Sequence, residues 1–328
     1  MNVAVVMGGY SDESVISVRS GQLILNNLDR SKYTPFEVHI LPEGWDVLIE
    51  GNKYPVNKAD FSFEKDGNKI AFNVVVNTIH GTPGEDGQMQ AYWQLLGIPY
   101  TGCGFYQSAL TFNKRDTLSV LNKFGIPRAK SIYLSKGDTI EAQDIVDTLG
   151  LPFMVKPNQS GSSLGISKVN SIEEFDKALE FAFAEDSDIL IESFLKGMEV
   201  SVGVLNYKGE TTVLGITEIV SHNDFFDYEA KYQGKSDEIT PARLNAETEQ
   251  KVREVSIKAY EALGMSGFTR SEFIIVSGEP HFIEMNTNPG LSPASIFPQQ
   301  AGVAGVAMSD LFDNEIQLAL NRKVLFKK

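Results

Sequence analysis

Cysteine is all but missing from this chain. Cys103 stands alone among 328 residues, which excludes a disulfide framework and a four-cysteine zinc site. Histidine is scarce too, and the four present show no metal-ligand spacing. No apolar run approaches the roughly 18 residues of a membrane-spanning helix. The opening residues, Met1-Asn2-Val3-Ala4-Val5-Val6-Met7-Gly8-Gly9, lack the basic stretch and long apolar segment of a signal peptide and read as a buried first strand. The expected setting is therefore a reducing cytoplasm. Positive charge is outnumbered: 29 Lys and Arg face 43 Asp and Glu, a net charge of −14. Such a field repels phosphate, so neither nucleic acid nor an anionic membrane surface is an expected partner, and without a long apolar run no membrane insertion is expected. An anionic substrate needs a local pocket that opposes the field.

What is present is ordinary globular composition, 42% hydrophobic and 22% charged, with length for two or three domains. The first hundred residues alternate: strands at 2–7, 35–41 and 73–79, helices at 11–28 and 88–96, then a short strand at 98–100. This is the pattern of an α/β domain with a parallel sheet. Ser11 is placed to cap the first helix, with Asp12 and Glu13 in its first turn. One helix is expected over 105–124. Strands near 129–134, 153–157, 165–169 and 188–192 then surround helices at 139–149 and 172–184, an α+β unit. A third unit begins near Met198, with strands at 199–205 and 212–219 and a helix at 246–263. Between them lies a polar irregular stretch, 221–242, of the length of a lid. No repeat is visible.

Three Gly-rich segments invite a phosphate reading. Gly234-Lys235-Ser236 fails as a Walker A motif because Glu229 occupies the first glycine position. Gly102-Cys103-Gly104 fails as a dinucleotide fingerprint because Gln107 replaces the third glycine. The third, from Lys156-Pro157 through Gly161-Ser162-Ser163-Leu164-Gly165, leaves two readings in balance. It is either a loop whose N–H groups surround phosphate oxygens, or a plain hairpin tip.

The segment 267–288 is more informative. A hairpin around Ser277-Gly278, centred on Gly278, sets Glu272 opposite Glu284 and Arg270 opposite Asn286, all on one face. Phe273, Ile275, Ile283 and Met285 form the apolar face. Opposed carboxylates repel unless solvated, protonated or bridged by a cation. Two Glu and an Asn offer oxygen ligands, which suits Mg²⁺ with phosphate oxygens in the remaining positions.

Taken together, these pieces resemble the D-alanine–D-alanine ligase family of the ATP-grasp superfamily. The markers run along nearly the whole chain. They are Gly8-Gly9 with Ser11 and Glu13, His80-Gly81 with Gly84-Glu85-Asp86-Gly87, Pro99-Tyr100-Thr101-Gly102, and Lys114. Lys156-Pro157 with Gly161-Ser162-Ser163 follows, then Asp227-Tyr228-Glu229-Ala230-Lys231-Tyr232, Arg270, and Glu284-Met285-Asn286-Thr287-Asn288-Pro289-Gly290. Each piece is modest; their order and spacing are specific.

The resemblance implies a three-domain ATP-grasp fold: a Rossmann-like α/β domain at 1–102, a central subdomain at 103–195 and a C-terminal subdomain at 196–328 with the lid at 221–242. It implies that ATP and two D-alanines give D-alanyl-D-alanine, ADP and phosphate, for peptidoglycan synthesis. It assigns Lys114, Lys156 and Lys231 to ATP phosphates, with Ser162 in the loop over them, and Glu192, Leu195 and Glu199 to the adenosine. Glu272, Glu284 and Asn286 take two Mg²⁺, with Mn²⁺ as the alternative ion. Glu13 receives the first substrate's ammonium. Arg270, the Gly290 backbone and Ser295 orient the second substrate and the oxyanion, with His80 and Ile296 as further substrate contacts. Tyr232, with Glu13 and Ser162, closes the lid. A homodimer is implied as well. Two positions depart from the family pattern: Glu272, where Asp is usual, and Ser193, where Lys is frequent. The rival functions are a D-alanine–D-lactate ligase, another ATP-grasp carboxylate–amine ligase, or a non-catalytic nucleotide- or amino-acid-binding protein.

Overall fold

The computed structural model describes residues 1–161, 163–221, 236–292 and 294–322. Strand β1 (Asn2–Gly8) runs parallel to β2 (Thr34–Leu41) on one side and to β7 (Val74–Asn77) on the other. Helix α1 (Ser14–Asn27) makes the crossover between β1 and β2. Alternation along β1 divides its neighbours. Val3, Val5 and Met7 join a core with Ile24 of α1, while Ala4 and Val6 join an aromatic cluster with Phe61, Phe63 and Trp93. The parallel expectation holds for this centre but not for the edge. β3 (Gly44–Ile49) and β4 (Asn52–Pro55) extend the sheet antiparallel, and β5 (Ser62–Lys65) pairs with β6 (Asn68–Ala71) as a separate hairpin. The latter turns on Asp66-Gly67, both at positive φ, the residue pair that a twisted two-residue hairpin turn favours.

Two expected helices are shorter than their periodicity. α1 starts at Ser14, so Glu13 stands at the N-cap rather than in the first turn, and Ser11 does not cap it. The Ser11 hydroxyl instead donates to the His80 carbonyl at 3.0 Å. The helix expected over 105–124 is two, α3 (Phe105–Phe112) and α4 (Lys114–Lys123), following α2 (Gln88–Leu96). Asn113 divides them because its side chain accepts from the Asp116 N–H at 3.0 Å, a local bond that starts a new helix. The expected strand at 98–100 reduces to one bridge between Tyr100 and Val75.

The central sheet is antiparallel, in the order β10-β9-β11-β8. Its strands are β8 (Ser131–Ser135), β9 (Phe153–Pro157), β10 (Ser167–Val169) and β11 (Asp188–Ser193). Helices α5 (Ala142–Leu149) and α6 (Phe175–Phe183) cover one face around Ile145, Phe153 and Phe175. This matches the α+β expectation.

The third sheet has the order β14-β13-β12-β15-β16, built from β12 (Met198–Tyr207), β13 (Glu210–Ser221), β14 (Ser236–Ile239), β15 (Thr269–Val276) and β16 (Glu279–Asn286). β14 corrects the reading of 221–242 as irregular throughout: it pairs with the end of β13. Residues 222–235 of that stretch lie outside the described residues. Helix α7 (Ala246–Ala262) packs on one face through Val252 and Tyr260. On the other, α8 (Ile296–Val303) sits close because paired strand residues there are Gly203 and Gly215. A Cβ on Gly203 would fall 2.3 Å from Gln300 Oε1. Gln300 in turn donates to the Ser201 carbonyl at 2.9 Å and Thr217 Oγ1 at 3.0 Å. This anchors α8 with its first residues at the cleft described below.

The last helix, α9 (Met308–Asn321), returns to the first sheet through Leu311, Phe312 and Ile316. It also buries Glu315, whose two carboxylate oxygens have no hydrogen-bond partner among the described residues. Burial pushes this carboxyl up to about 8; Arg322 and the backbone at Gly102 and Phe268 offset only part of the effect. A carboxyl raised by folding stabilises the folded state fully below its ordinary value of 4.5 and loses that contribution as pH rises through about 8. Each pH unit inside the window removes up to about 1.4 kcal/mol. Glu315→Gln is therefore expected to melt at higher temperature than the parent at pH 8, with the difference closing toward pH 5. Thermal melts across that range check this, and a difference independent of pH would refute it.

Candidate active site

The three sheets meet around a cleft of about 210 Å³. Nine of the expected site residues line it: Glu13, His80, Lys114, Arg270, Glu284, Asn286, Gly290, Ser295 and Ile296. They come from α1, the loop after β7, α4, the β15–β16 hairpin and the turn into α8, regions remote in sequence.

The hairpin pairs Glu272 with Glu284 and Arg270 with Asn286, as parity requires, but by a different route. Its turn is the two-residue Ser277-Gly278, which pairs Val276 with Glu279 and Phe273 with Phe282. Continued without interruption, that register would set Glu272 opposite Ile283. A bulge at the Glu272/Phe273 step inserts Ile283 and brings Glu284 round instead. The apolar face is corrected accordingly. Phe282, not Ile283, joins Phe273, Ile275 and Met285 in the core, with the Phe273 and Phe282 rings edge-to-face at 5.6 Å.

Arg270 Nη1 donates to Glu272 Oε1 at 2.5 Å and to Ser201 Oγ at 3.0 Å. Burial works against the guanidinium charge, but Glu272, Glu284 and Glu238 hold its pKa above the ordinary value. Glu272 is buried against Arg270 and does not itself line the cleft. Glu238, on β14, does line it; burial and the Glu272 charge push its carboxyl up, against the pull of Arg270. The excess negative charge here is what a divalent cation offsets. Among the described residues no cluster of three His, Cys, Asp or Glu forms a ready-made metal cage. Two carboxylates and the Asn286 amide oxygen nevertheless fit a hard cation whose other ligands are phosphate oxygens.

Two lysines border this face. Lys114 is the first residue of α4, placed there by the Asn113 break. Its Nζ donates to the Ser160 carbonyl at 2.8 Å and lies 3.8 Å from Glu284 Oε2. Lys156, on β9, stands outside the cleft lining in a buried pair with Glu192 of β11, Nζ to Oε2 at 2.7 Å. Burial pulls its pKa down, but Glu192, then Glu284 and Glu199, carry it above the usual lysine value. Leu195 follows β11 and is half-buried; Glu199 lies on β12. The Gly-rich loop joins antiparallel β9 and β10, so hairpin geometry is present, and its tip residues Ser160 and Gly161 line the cleft. The two readings of that loop are therefore compatible.

The opposite wall carries Glu13 and His80. A Cβ on Gly161 would lie 3.1 Å from Glu13 Oε2, a tight contact that the Glu13 side chain would have to relieve. Burial, helped by the Arg270 charge, pushes the His80 pKa down against the pull of Glu13 and so favours the neutral ring. Ser295 Oγ and Ser292 Oγ are 2.8 Å apart beside Gly290. Ser162, Lys231 and Tyr232 lie outside the described residues.

Two ionisable cleft residues, Glu85 and Glu238, have no role assigned from sequence. Glu85 accepts from Gly81 N–H at 2.7 Å and Asn288 N–H at 3.2 Å, and burial with the Glu13 charge pushes it up to about 8. Its signal was its place in Gly84-Glu85-Asp86-Gly87. Glu238 had no local signal, because it arrives by pairing of β14 with β13.

Comparisons place this geometry. A D-Ala:D-Ser ligase, VanG from Enterococcus faecalis, superposes with a TM-score of 0.87 at 32% identity, covering 97% of this chain and 99% of that one. A D-alanine–D-alanine ligase from Bacillus anthracis, complexed with ATP, superposes at 0.78 with 29% identity, covering 98% and 97%. The fold is that of an ATP-grasp ligase. Residues 2–103 match the family model described as D-ala D-ala ligase N-terminus, and 120–317 the model described as D-ala D-ala ligase C-terminus. A D-alanine–D-alanine ligase from Flavobacterium psychrophilum is 71% identical over 328 residues, 100% of both chains. The chain belongs to the D-alanine–D-alanine ligase family.

Proposed function

We propose that this cleft joins two D-alanines into D-alanyl-D-alanine for peptidoglycan synthesis, with ATP converted to ADP and phosphate. The observation that carries the reading is the meeting of Glu13 and His80 on one wall with Lys114, Arg270, Glu284 and Asn286 on the other. Joining a carboxylate to an amine through an acyl phosphate requires anionic groups to be brought together, then an oxyanion to be stabilised. Glu13 receives the first ammonium and orients its carboxylate toward the γ-phosphate. Lys114 and Lys156, with Lys231 from the lid, offset phosphate charge. Glu192, Leu195 and Glu199 hold the adenosine. Glu272, Glu284 and Asn286 hold two Mg²⁺, which supply the charge that lets carboxylate and phosphate approach. Arg270 and the Gly290 N–H stabilise the tetrahedral oxyanion, while Ser295, Ile296 and the neutral His80 ring shape the second-substrate pocket. Ser162 and Tyr232 close with Glu13 over the acyl phosphate and exclude water.

The units 1–102, 103–195 and 196–328 each carry one of the three main sheets, which supports three domains around one site. Among the described residues no helix is long and apolar enough to cross a membrane; the reading sets the enzyme in the cytoplasm as a homodimer. Phosphate release with ATP and Mg²⁺ tests the function across D-alanine, D-serine, D-lactate and L-amino acids, with products identified by mass. D-alanine is expected to drive turnover and yield the dipeptide. No stimulation by D-alanine, with another pair active, would overturn the assignment.

A further inference from the structure

The two walls of the cleft come from opposite ends of the chain, and their spacing must be held by something other than sequence neighbours. The chain leaves β16 at Asn286 and reaches Gly290 through Thr287-Asn288-Pro289. Asn288 is 6% exposed and is not among the residues lining the cleft. Its Nδ2 donates to the Ile79 carbonyl at 2.9 Å and reaches the Gly84 carbonyl at 3.5 Å. Its backbone N–H donates to Asn286 Oδ1 at 2.9 Å and Glu85 Oε1 at 3.2 Å. The His80 ring also interacts with its backbone, and Glu85 closes the loop on itself through Gly81 N–H. Three residues on, Leu291 N–H donates to Ser20 Oγ of α1 at 3.1 Å, and the same hydroxyl stands 3.5 Å from His80 Nε2.

We propose that Asn288 is a positioning residue that locks the 79–85 loop to the exit of the carboxylate hairpin. The lock sets the distance between Glu13 and His80 on one wall and Gly290 and Ser295 at the second-substrate turn. Asn288 touches neither substrate; it acts through the loop that carries His80. The side chain must be an amide, because both its targets are carbonyl oxygens. An aspartate of the same size would turn a carboxylate toward them and take from the Ile79 carbonyl its side-chain donor, while Gly84 keeps Asn77 Nδ2 and Gln90 Nε2. Both side-chain targets lie in the loop that carries His80, and neither is a nucleotide contact, so the lock governs amino-acid placement rather than nucleotide binding. The inference rests on the D-alanine reading for the substrates' identity, though the lock itself does not.

The test uses Asn288→Asp and Asn288→Ala in the full chain, with KM for D-alanine, KM for ATP and kcat measured separately. Amide hydrogen exchange is followed over 79–85. We expect KM for D-alanine to rise about tenfold or more, since small misplacements of reacting groups are expensive. KM for ATP stays within about twofold of the parent value. Exchange in the 79–85 loop quickens. An unchanged KM for D-alanine, an equal change in both KM values, or unchanged exchange in a folded variant would overturn the lock. Should both Asn288 variants fail to fold, Ser20→Ala removes the Leu291 bond between the walls together with the hydroxyl beside His80. It is expected to raise KM for D-alanine by about two- to threefold with ATP unaffected; no rise overturns the proposal. A parent enzyme silent with D-alanine defeats the functional reading instead, and exchange in Asn288→Ala still judges the lock.

Discussion

Arg270→Met is expected to lower kcat by about 10²–10³-fold, the range found when one preorganised oxyanion donor is removed. KM for ATP should change far less. The side chain is held from two sides, by Glu272 at 2.5 Å and Ser201 at 3.0 Å, so its charge is in place before substrate arrives. Its removal also leaves Glu272 buried without its cation, and a drop in melting temperature should accompany the lost rate. Arg270→Lys separates the two effects. A lysine restores the charge but not the planar fork, so stability should recover further than kcat. Dipeptide formation measured by mass decides the matter; turnover of Arg270→Met within about threefold of the parent would remove Arg270 from the proposed chemistry.

Lys156→Ala is expected to reduce kcat/KM for ATP by about a hundredfold or more and to destabilise the chain by roughly 3–5 kcal/mol, since Glu192 then remains buried and unpaired. Both side chains are largely excluded from solvent, 11% and 6% exposed. A rate loss in this variant alone could therefore reflect damage to the fold. Lys156→Met combined with Glu192→Leu settles it, because an apolar pair of similar volume is often as stable as the buried ion pair it replaces. The double variant should melt near the parent temperature and still fail to turn over ATP. Recovery of turnover together with stability would exclude the proposed phosphate role.

The hairpin shows how much of the site was legible. Period-2 parity is local, so Arg270, Glu272, Glu284 and Asn286 could be placed on one face from sequence. A turn centred on Gly278 would pair them directly, whereas the chain uses a two-residue turn and then a bulge at Ile283. The carboxylates still meet, while Phe282 replaces Ile283 in the core. A bulge answers to packing against neighbouring strands, which no local pattern encodes. Similarly, the 105–124 periodicity hid the Asn113 break, because a side-chain cap competes with the helix only where the surroundings allow both helices to pack. That break is what puts Lys114 beside Glu284.

Local chemistry in the sequence was enough to determine the α/β and α+β elements, the oxygen-donor hairpin and the ordered motifs of the ligase family. These depend on residue type and short-range spacing. The tertiary structure alone decided which of those residues share a cleft. It brought Glu85 and Glu238 into that cleft, and it let Asn288 span the walls through a contact 209 residues apart in sequence. It also decided that Glu315 is buried, with burial outweighing the pull of Arg322 on its charge. Burial and long-range hydrogen bonding are properties of the packed chain, and the pKa values and distances that carry the chemistry follow from them.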